Sequence, residues 1–206
     1  MLFFTADPHY QHYNIIEYCN RPFKTAEEMD EAIIKNFNYY VRDEDVTYWL
    51  GDMGLATPEY LQTILSRLHG THILIIGNHD QHGINTYYKL GFSAVLESAE
   101  IRIGKNRVTM SHYPNRSLKE FFRICRLDII KMFKKERSWK HMWAKVRKEW
   151  SQYRPFSRQW HLCGHVHEKW SIRGKNINVG VDVRDFKPVS IRDIANIIDK
   201  ETQKRS

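Results

Sequence analysis

Asp7, His9, Asp52, Asn78, His112, His165 and His167 are seven side chains able to offer an electron pair to a metal ion, and they follow one order along the chain. Their settings are Asp7-Pro8-His9, Gly51-Asp52, Gly77-Asn78-His79-Asp80, a lone His112 after an apolar run, and Gly164-His165-Val166-His167. Carboxylate, amide and imidazole donors in this mixture suit divalent cations, and seven of them suit a pair. Two such cations together are a device for attacking phosphorus esters. Each piece alone is weak. Asp52 and Asn78 are types that favour turns, and His112 by itself reads better as a buried structural histidine. The five pieces in order carry the reading.

Strands must deliver these groups. Leu2-Phe3-Phe4-Thr5 leads into Asp7, Val46 to Leu50 into Asp52, and Ile73 to Ile76 into Asn78. Arg107 to Met110 leads into His112, and Trp160 to Cys163 into His165. Short apolar or β-branched runs of this kind predict buried strands. Each candidate ligand then lies just past a strand's carboxyl end, where open α/β sheets place their sites. Gly51, Gly77 and Gly164 precede three of the ligands and allow close backbone approach. Thr25 with Glu28 predicts a capping box for a helix reaching Tyr40, and Thr57-Pro58 predicts another helix start. Ser190 opens a last helix. Further strands are expected at Ala99 to Ile103, Lys169 to Ile172 and Asn176 to Val183.

The 206 residues predict a single domain, 1–206. The apolar start reaches Asp7 too soon for a signal peptide, and no apolar run approaches the roughly 20 residues of a membrane span. Three scattered cysteines fit a reducing compartment, so a cytoplasmic location is expected. Net charge is +8, unevenly spread: Arg116 to Arg158 holds fourteen Lys or Arg against four Asp or Glu, leaving the remainder slightly negative. Within that stretch, 117–152 predicts a basic helical hairpin inserted between two ligand-bearing strands, broken near Lys134 to Ser138. Its tryptophans Trp139, Trp143 and Trp150 recur at helical spacing, as packing on the main domain requires. Its charge excess points to an anionic partner, nucleic acid or another polyanion. A cap over the site and a membrane-facing amphipathic hairpin are the other readings.

The ordered pattern DxH, GD, GNHD, H and GHxH resembles the calcineurin-like metallophosphoesterase superfamily, over Asp7 to His167. The wording of Asn20-Arg21-Pro22-Phe23, Asn178 to Asp182 and Pro188-Val189-Ser190 is similar to its compact bacterial and phage branch. The resemblance implies an α/β fold, a four-layer αββα sandwich of two mixed sheets. It implies that Asp7, His9 and His167 hold one cation, that Asn78, His112 and His165 hold the other, and that Asp52 bridges both. Manganese is foremost, with iron or zinc as alternatives. A hydroxide between the metals would attack phosphorus in line, His79 would protonate the leaving oxygen, and Asp80 would orient His79. The expected reaction is hydrolysis of a phosphoester, with a phosphodiester, nucleotide or nucleic acid preferred. His12 is a candidate for contacting a substrate phosphate and equally for a solvent-facing loop residue, while Arg21 is a candidate bidentate phosphate clamp for which a surface arginine is the commoner reading. Asp182 either backs a histidine ligand or ends a strand. One alternative is cleavage of a lipid-linked nucleotide's pyrophosphate at a membrane surface, although similar hydrolases carry Arg where this chain has His79. The other is a non-catalytic scaffold, a class that usually loses ligands.

Overall fold

Successive side chains on a strand face opposite sides of its sheet, and that rule sets this architecture. The computed structural model describes residues 1–116, 144, 147, 150, 153–155 and 159–205. Strand β1 (Leu2–Thr5) pairs in parallel with β2 (Val46–Trp49), β2 with β3 (Thr71–Ile75), and β3 with β4 (Ala94–Leu96). Neighbouring residues in these strands split between two cores. Phe3, Trp49 and Leu74 enter one, which holds Met29, Ile33, Phe37, Leu61, Ile64 and Tyr87. Phe4, Leu50 and Ile75 enter the other, together with Val108, Met110, Leu162 and Ile177. The first core lies under helices α2 (Ala26–Tyr40), α3 (Pro58–Leu65) and α4 (Ile84–Leu90). The second lies against another sheet. Burial on both faces explains why these strands read as continuous apolar runs.

That second sheet runs β10-β11-β9-β6-β5, from β5 (Ala99–Ile103), β6 (Asn106–Met110), β9 (Trp160–Cys163), β10 (Ile172–Arg173) and β11 (Asn176–Asn178). Its centre is parallel and both edges are antiparallel. The first sheet is closed on one side by β12 (Val189–Ser190), antiparallel to β1. Helix α5 (Ile191–Gln203) follows at once. Ser190 and Asp193 form a reciprocal capping box, and Ile194 and Ile198 join the core between the sheets. The expected α/β fold of two mixed sheets with helices is what the chain adopts.

Register places the strand ends together. Thr5 lies opposite Trp49, and Trp49 opposite Leu74, so the loops bearing Asp7, Asp52 and Asn78 leave side by side. Met110 lies opposite Leu162, which does the same for His112 and His165. Two expected strands are shorter than predicted. Residues His167–Lys169 form a 3₁₀ turn before β10, and Asn176–Asn178 gives way to another at Val181–Val183. The apolar alternation continues there, but the backbone turns to deliver His167 and Asp182. The sequence pattern also missed α1 (Tyr13–Tyr18) and α4, both too short to show a helical period.

The chain divides into two compact units, Met1–Pro114 with Gln159–Ser206, and Asn115–Arg158. In the second, β7 (Asn115–Arg116) pairs in parallel with β8 (Arg154–Pro155). The expected hairpin over 117–152 lies outside the described residues, apart from the helical positions Ala144, Arg147 and Trp150. Trp150, grouped above with the apolar face, is 58% exposed, with its ring stacked on Tyr153 at 5.9 Å. Among the described residues no helix is long and apolar enough to cross a membrane.

Two buried groups in the first core titrate in opposition. His72 is ringed by Phe37, Trp49 and Phe92, and its Nδ1 accepts the Trp49 indole N–H at 3.2 Å, a bond only the neutral ring can accept there. Burial lowers its pKa from 6.5 to about 4, with a backbone hydrogen bond to Leu68 opposing. Its contribution to stability is therefore lost as pH falls from about 6.5 to 4, because the unfolded chain binds the extra proton. Burial also raises Asp30 from 3.8 to about 6, against its bonds from Tyr60 and Gln11. The folded state binds the extra proton there, so that contribution is lost as pH rises through the same range. The two nearly cancel. Asp30→Asn is expected to expose the histidine, so that acidification from pH 6.5 to 4.5 costs the variant on the order of 2 kcal/mol more than the parent. Denaturant unfolding of both proteins at the two pH values measures it, and parallel profiles would refute it.

Candidate metal centre

All seven candidate ligands meet in one connected cluster. Asp52 stands in the middle: its Oδ2 lies 3.5 Å from His9 Nε2 and 3.5 Å from His112 Nε2. His112 Nε2 in turn lies 3.1 Å from Asn78 Oδ1 and 3.2 Å from His165 Nδ1. On the other side, donor atoms of Asp7, His9 and His167 lie within 4.8 Å of one another, as do those of Asp7, Asp52 and His112. Asp7, His9, Asp52 and His112 are buried, whereas Asn78, His165 and His167 are partly exposed, so the cluster opens to solvent on one side.

The hydrogen bonds test whether a cation fits. His112 Nδ1 lies 2.8 Å from the Leu50 carbonyl and donates to it, which leaves Nε2 as a lone pair. That lone pair faces a carboxylate and an amide oxygen. His9 Nε2 is buried and has no hydrogen-bond partner. Oxygen and imidazole acceptors that converge in this way are stabilised by positive charge between them. Charge balance agrees. Burial pushes Asp7 up to about 6, with His167 and His112 pulling it down. Burial and the neighbouring cations His167 and Arg21 push His9 far below its ordinary value. Burial alone would lower His167, yet hydrogen bonds to Asp182 and Cys19 and the charge of Asp7 carry it up to about 10. A divalent cation would favour ionised Asp7 and neutral imidazoles together, displacing the His167 proton. The donor set fits.

The backbone is bent to bring these groups in. Asp7, His9, Asp52, His165 and His167 all have positive φ, between 48° and 68°. Among the described residues that is five of the nine non-glycine residues in this state, and left-handed backbone concentrates at functional sites. Gly51 has φ +88°, and a Cβ there would lie 2.6 Å from the Gly77 nitrogen and 2.7 Å from His112 Nδ1. Gly51→Ala is expected to destabilise the fold by at least about 2 kcal/mol, from left-handed backbone and overpacking together. Thermal and denaturant unfolding measure this, and a variant as stable as its parent would contradict it.

Two residues act elsewhere than the sequence suggested. Arg21 does not face the cluster's open side. Its side chain is fully buried and all its donors are engaged: Nε and Nη2 on Asp182 at 2.8 and 3.0 Å, Nη2 on the Asp7 carbonyl, and Nη1 on the Pro8 carbonyl and Met29 Sδ. No donor is left for a substrate phosphate. Asp80 does not orient the His79 ring. Its carboxylate accepts the backbone N–H groups of Asp52, Met53 and Gly77 at 2.7–2.9 Å, tying two ligand loops together. An acid three residues past Gly77 closes that loop more readily than it reaches the adjacent imidazole. His79 keeps its ring at the half-buried rim, 5.3 Å from the His9 ring and 6.4 Å from the His12 ring, while its backbone N–H donates to Asp52 Oδ1. His12 Nδ1 lies 3.3 Å from His9 Nδ1.

Asp182 lies behind a ligand, with Oδ2 3.0 Å from His167 Nδ1. The sequence pattern did not single out two further groups. Asn178 is fully buried and donates to the carbonyls of His167 and Trp170 at 2.8 and 3.0 Å. Cys19 offers a sulfur within 4.8 Å of donor atoms on His167 and Asp182. Asn178 opens the stretch Asn178 to Asp182, but nothing local in that stretch names its partners.

No family model matches the chain. An uncharacterized protein of Methanocaldococcus jannaschii is 29% identical over 208 residues, 97% of this chain and 92% of that protein. The crystal structure of a protein of unknown function from Aquifex aeolicus superposes with a TM-score of 0.63 at 26% identity, over 96% of this chain and 98% of that one. The fold described above is thus similar along nearly its whole length to a solved protein. The structure of a novel archaeal phosphodiesterase is a remote likeness, with a TM-score of 0.41 at 12% identity over 87% of this chain and 81% of that one, too distant to bear on the site.

Proposed function

We propose that this chain is a metallophosphoesterase that uses two divalent cations to hydrolyse a phosphoester, with a phosphodiester or nucleotide preferred. The observation that supports this most is Asp52 Oδ2, flanked at 3.5 Å by one imidazole nitrogen from each side of the cluster. Asp7, His9 and His167 would hold one cation and Asn78, His112 and His165 the other, with Asp52 shared between them. Such cations, manganese foremost with iron or zinc as alternatives, polarise phosphoryl oxygens and make water nucleophilic near neutral pH. The chain's own groups supply the rest. Asp80 fixes the backbone that carries Asp52. His12, the second rim imidazole, would hydrogen-bond a non-bridging phosphoryl oxygen. His79 would pass a proton to the departing oxygen, which is what an alkoxide leaving group of a diester needs. The likeness of the ordered motifs to calcineurin-like phosphoesterases adds independent support.

The test is a side-by-side assay of an aryl phosphomonoester, an aryl phosphodiester and single-stranded nucleic acid. Protein stripped of metal is supplied in turn with Mn²⁺, Fe²⁺ and Zn²⁺. Turnover of a diester that depends on added cation is expected. Bound metal with no hydrolysis of any substrate would overturn the proposal.

A further inference from the structure

The charge of this chain follows its structural division. The compact unit Asn115–Arg158 holds fourteen Lys or Arg against four Asp or Glu, a net +10 by sequence in a chain whose total is +8. Positive charge concentrated in one unit attracts a polyanion, whereas solubility alone asks for no such concentration. One large aromatic group of that unit is exposed. Helical spacing groups Trp150 with an apolar stripe, yet its side chain stands 58% exposed. Ala144 and Arg147, at helical positions before it, are exposed as well. Residues three apart on a helix are surface neighbours, so these three mark one face turned to solvent. Just past Trp150 the Tyr153 amide donates to the Trp150 carbonyl at 3.1 Å. That turn lays the Tyr153 ring against the indole, 5.9 Å between centroids and 21° from parallel.

An exposed tryptophan in a basic unit suits two kinds of polyanion, a nucleic acid or an anionic membrane. The make-up of its face decides between them. A helix that lies on a membrane needs a broad apolar stripe, and the described positions on this face are alanine, arginine and tryptophan. Two rings held near parallel are instead extended by a third, and every base offers a π-face for that. A duplex hides those faces within its own stack, so the fit is to unpaired bases. We propose that the unit Asn115–Arg158 binds single-stranded nucleic acid, with the Trp150 ring, backed by Tyr153, as a platform for one base and Arg147 neutralising a phosphate. Such a strand is a polymer of phosphodiesters, the linkage class proposed for the metal cluster. Its capture needs no cation and does not rest on the two-cation reading.

The experiment follows the fluorescence anisotropy of a short, dye-labelled DNA strand of mixed sequence. The full chain is titrated in the presence of chelator, so that the probe is not cut, over a series of NaCl concentrations. Affinity is expected to fall linearly in log–log form as salt rises. Trp150→Ala should weaken binding by about 5–150-fold at every salt concentration, the weight of one stacked base, and leave the salt slope unchanged. Trp150→Phe should recover part of the loss. Arg147→Gln should flatten the slope by about 0.7, the share of one phosphate on a single strand. Both side chains are exposed, so parental melting temperatures are expected, and a merely structural defect would not separate affinity from slope in this way. The same sequence as a duplex should bind more weakly, and phosphatidylserine vesicles should not compete. Parental affinity in Trp150→Ala, an unmoved slope in Arg147→Gln, a duplex held as tightly as the single strand, or vesicles held in preference to either overturns the inference. A chain that binds the strand yet hydrolyses no ester upholds it and overturns only the proposed function.

Discussion

Asp52→Ala is expected to lose bound cation and to cut phosphodiester turnover by a factor on the order of 10³ or more, the scale set by removing one electrostatic stabiliser from a buried site. Two carboxylates compete for the bridging role, and tautomers decide between them. Asp7 Oδ1 lies 4.0 Å from His112 Nδ1, but that nitrogen already donates to the Leu50 carbonyl. Asp52 Oδ2 meets the free Nε2 of His112 and the orphaned Nε2 of His9. Asp52 Oδ1 also accepts the His79 backbone N–H at 2.8 Å, so its loss frees the rim as well. Alanine carries a second penalty, because Asp52 has φ 58° and left-handed alanine costs about 1–2 kcal/mol. Asp52→Asn is the cleaner variant: asparagine tolerates that backbone and keeps an acceptor for His79 while deleting the charge. Metal content by mass spectrometry and an aryl diester assay decide the matter. Two cations retained with more than a tenth of parental turnover would defeat the bridging role.

His79→Ala should leave both cations in place and still lower turnover of an alkyl diester by about 10²–10⁴-fold, the ordinary range for a lost general acid. The ring stands at the rim beside His9 and His12, whereas the inner donors belong to the seven candidate ligands. A proton donor matters in proportion to how poorly the product oxygen departs. The deficit should therefore shrink for a nitrophenyl diester, whose phenolate leaves without protonation. The measurement is kcat across diesters of graded leaving-group pKa, alongside metal stoichiometry. An equal deficit for all of them, or loss of cation, would assign His79 a different part.

The candidate ligands were legible as a group because each one stands a few residues past an apolar strand, and strand and turn chemistry are local. Asp52, three residues past Trp49, and His112, two past Met110, are of this kind. What stayed hidden depends on contacts between distant segments. Arg21 and Asp182 are each ambiguous alone, and only the folded chain shows that every donor of one is consumed by the other, by two carbonyls and by the Met29 sulfur. Asp80 misled for the opposite reason. Its neighbour in sequence was His79, but its partners were the Gly77 amide and, nearly thirty residues away, the amides of Asp52 and Met53. Short elements failed too: α1 has six residues, fewer than two helical turns, and no periodicity can show in that length.

Five of the candidate ligands sit in left-handed backbone. At about 1 kcal/mol apiece, the low end of its cost, that conformation removes on the order of 5 kcal/mol, comparable with the entire stability of many domains. Glycine at any of these positions would relax the chain, and a lineage selected for robustness alone would drift toward such a sturdier, inert protein. Aspartate and histidine at these five positions therefore cost the fold stability that glycine would return, which is the trade expected of side chains held for chemistry rather than for folding.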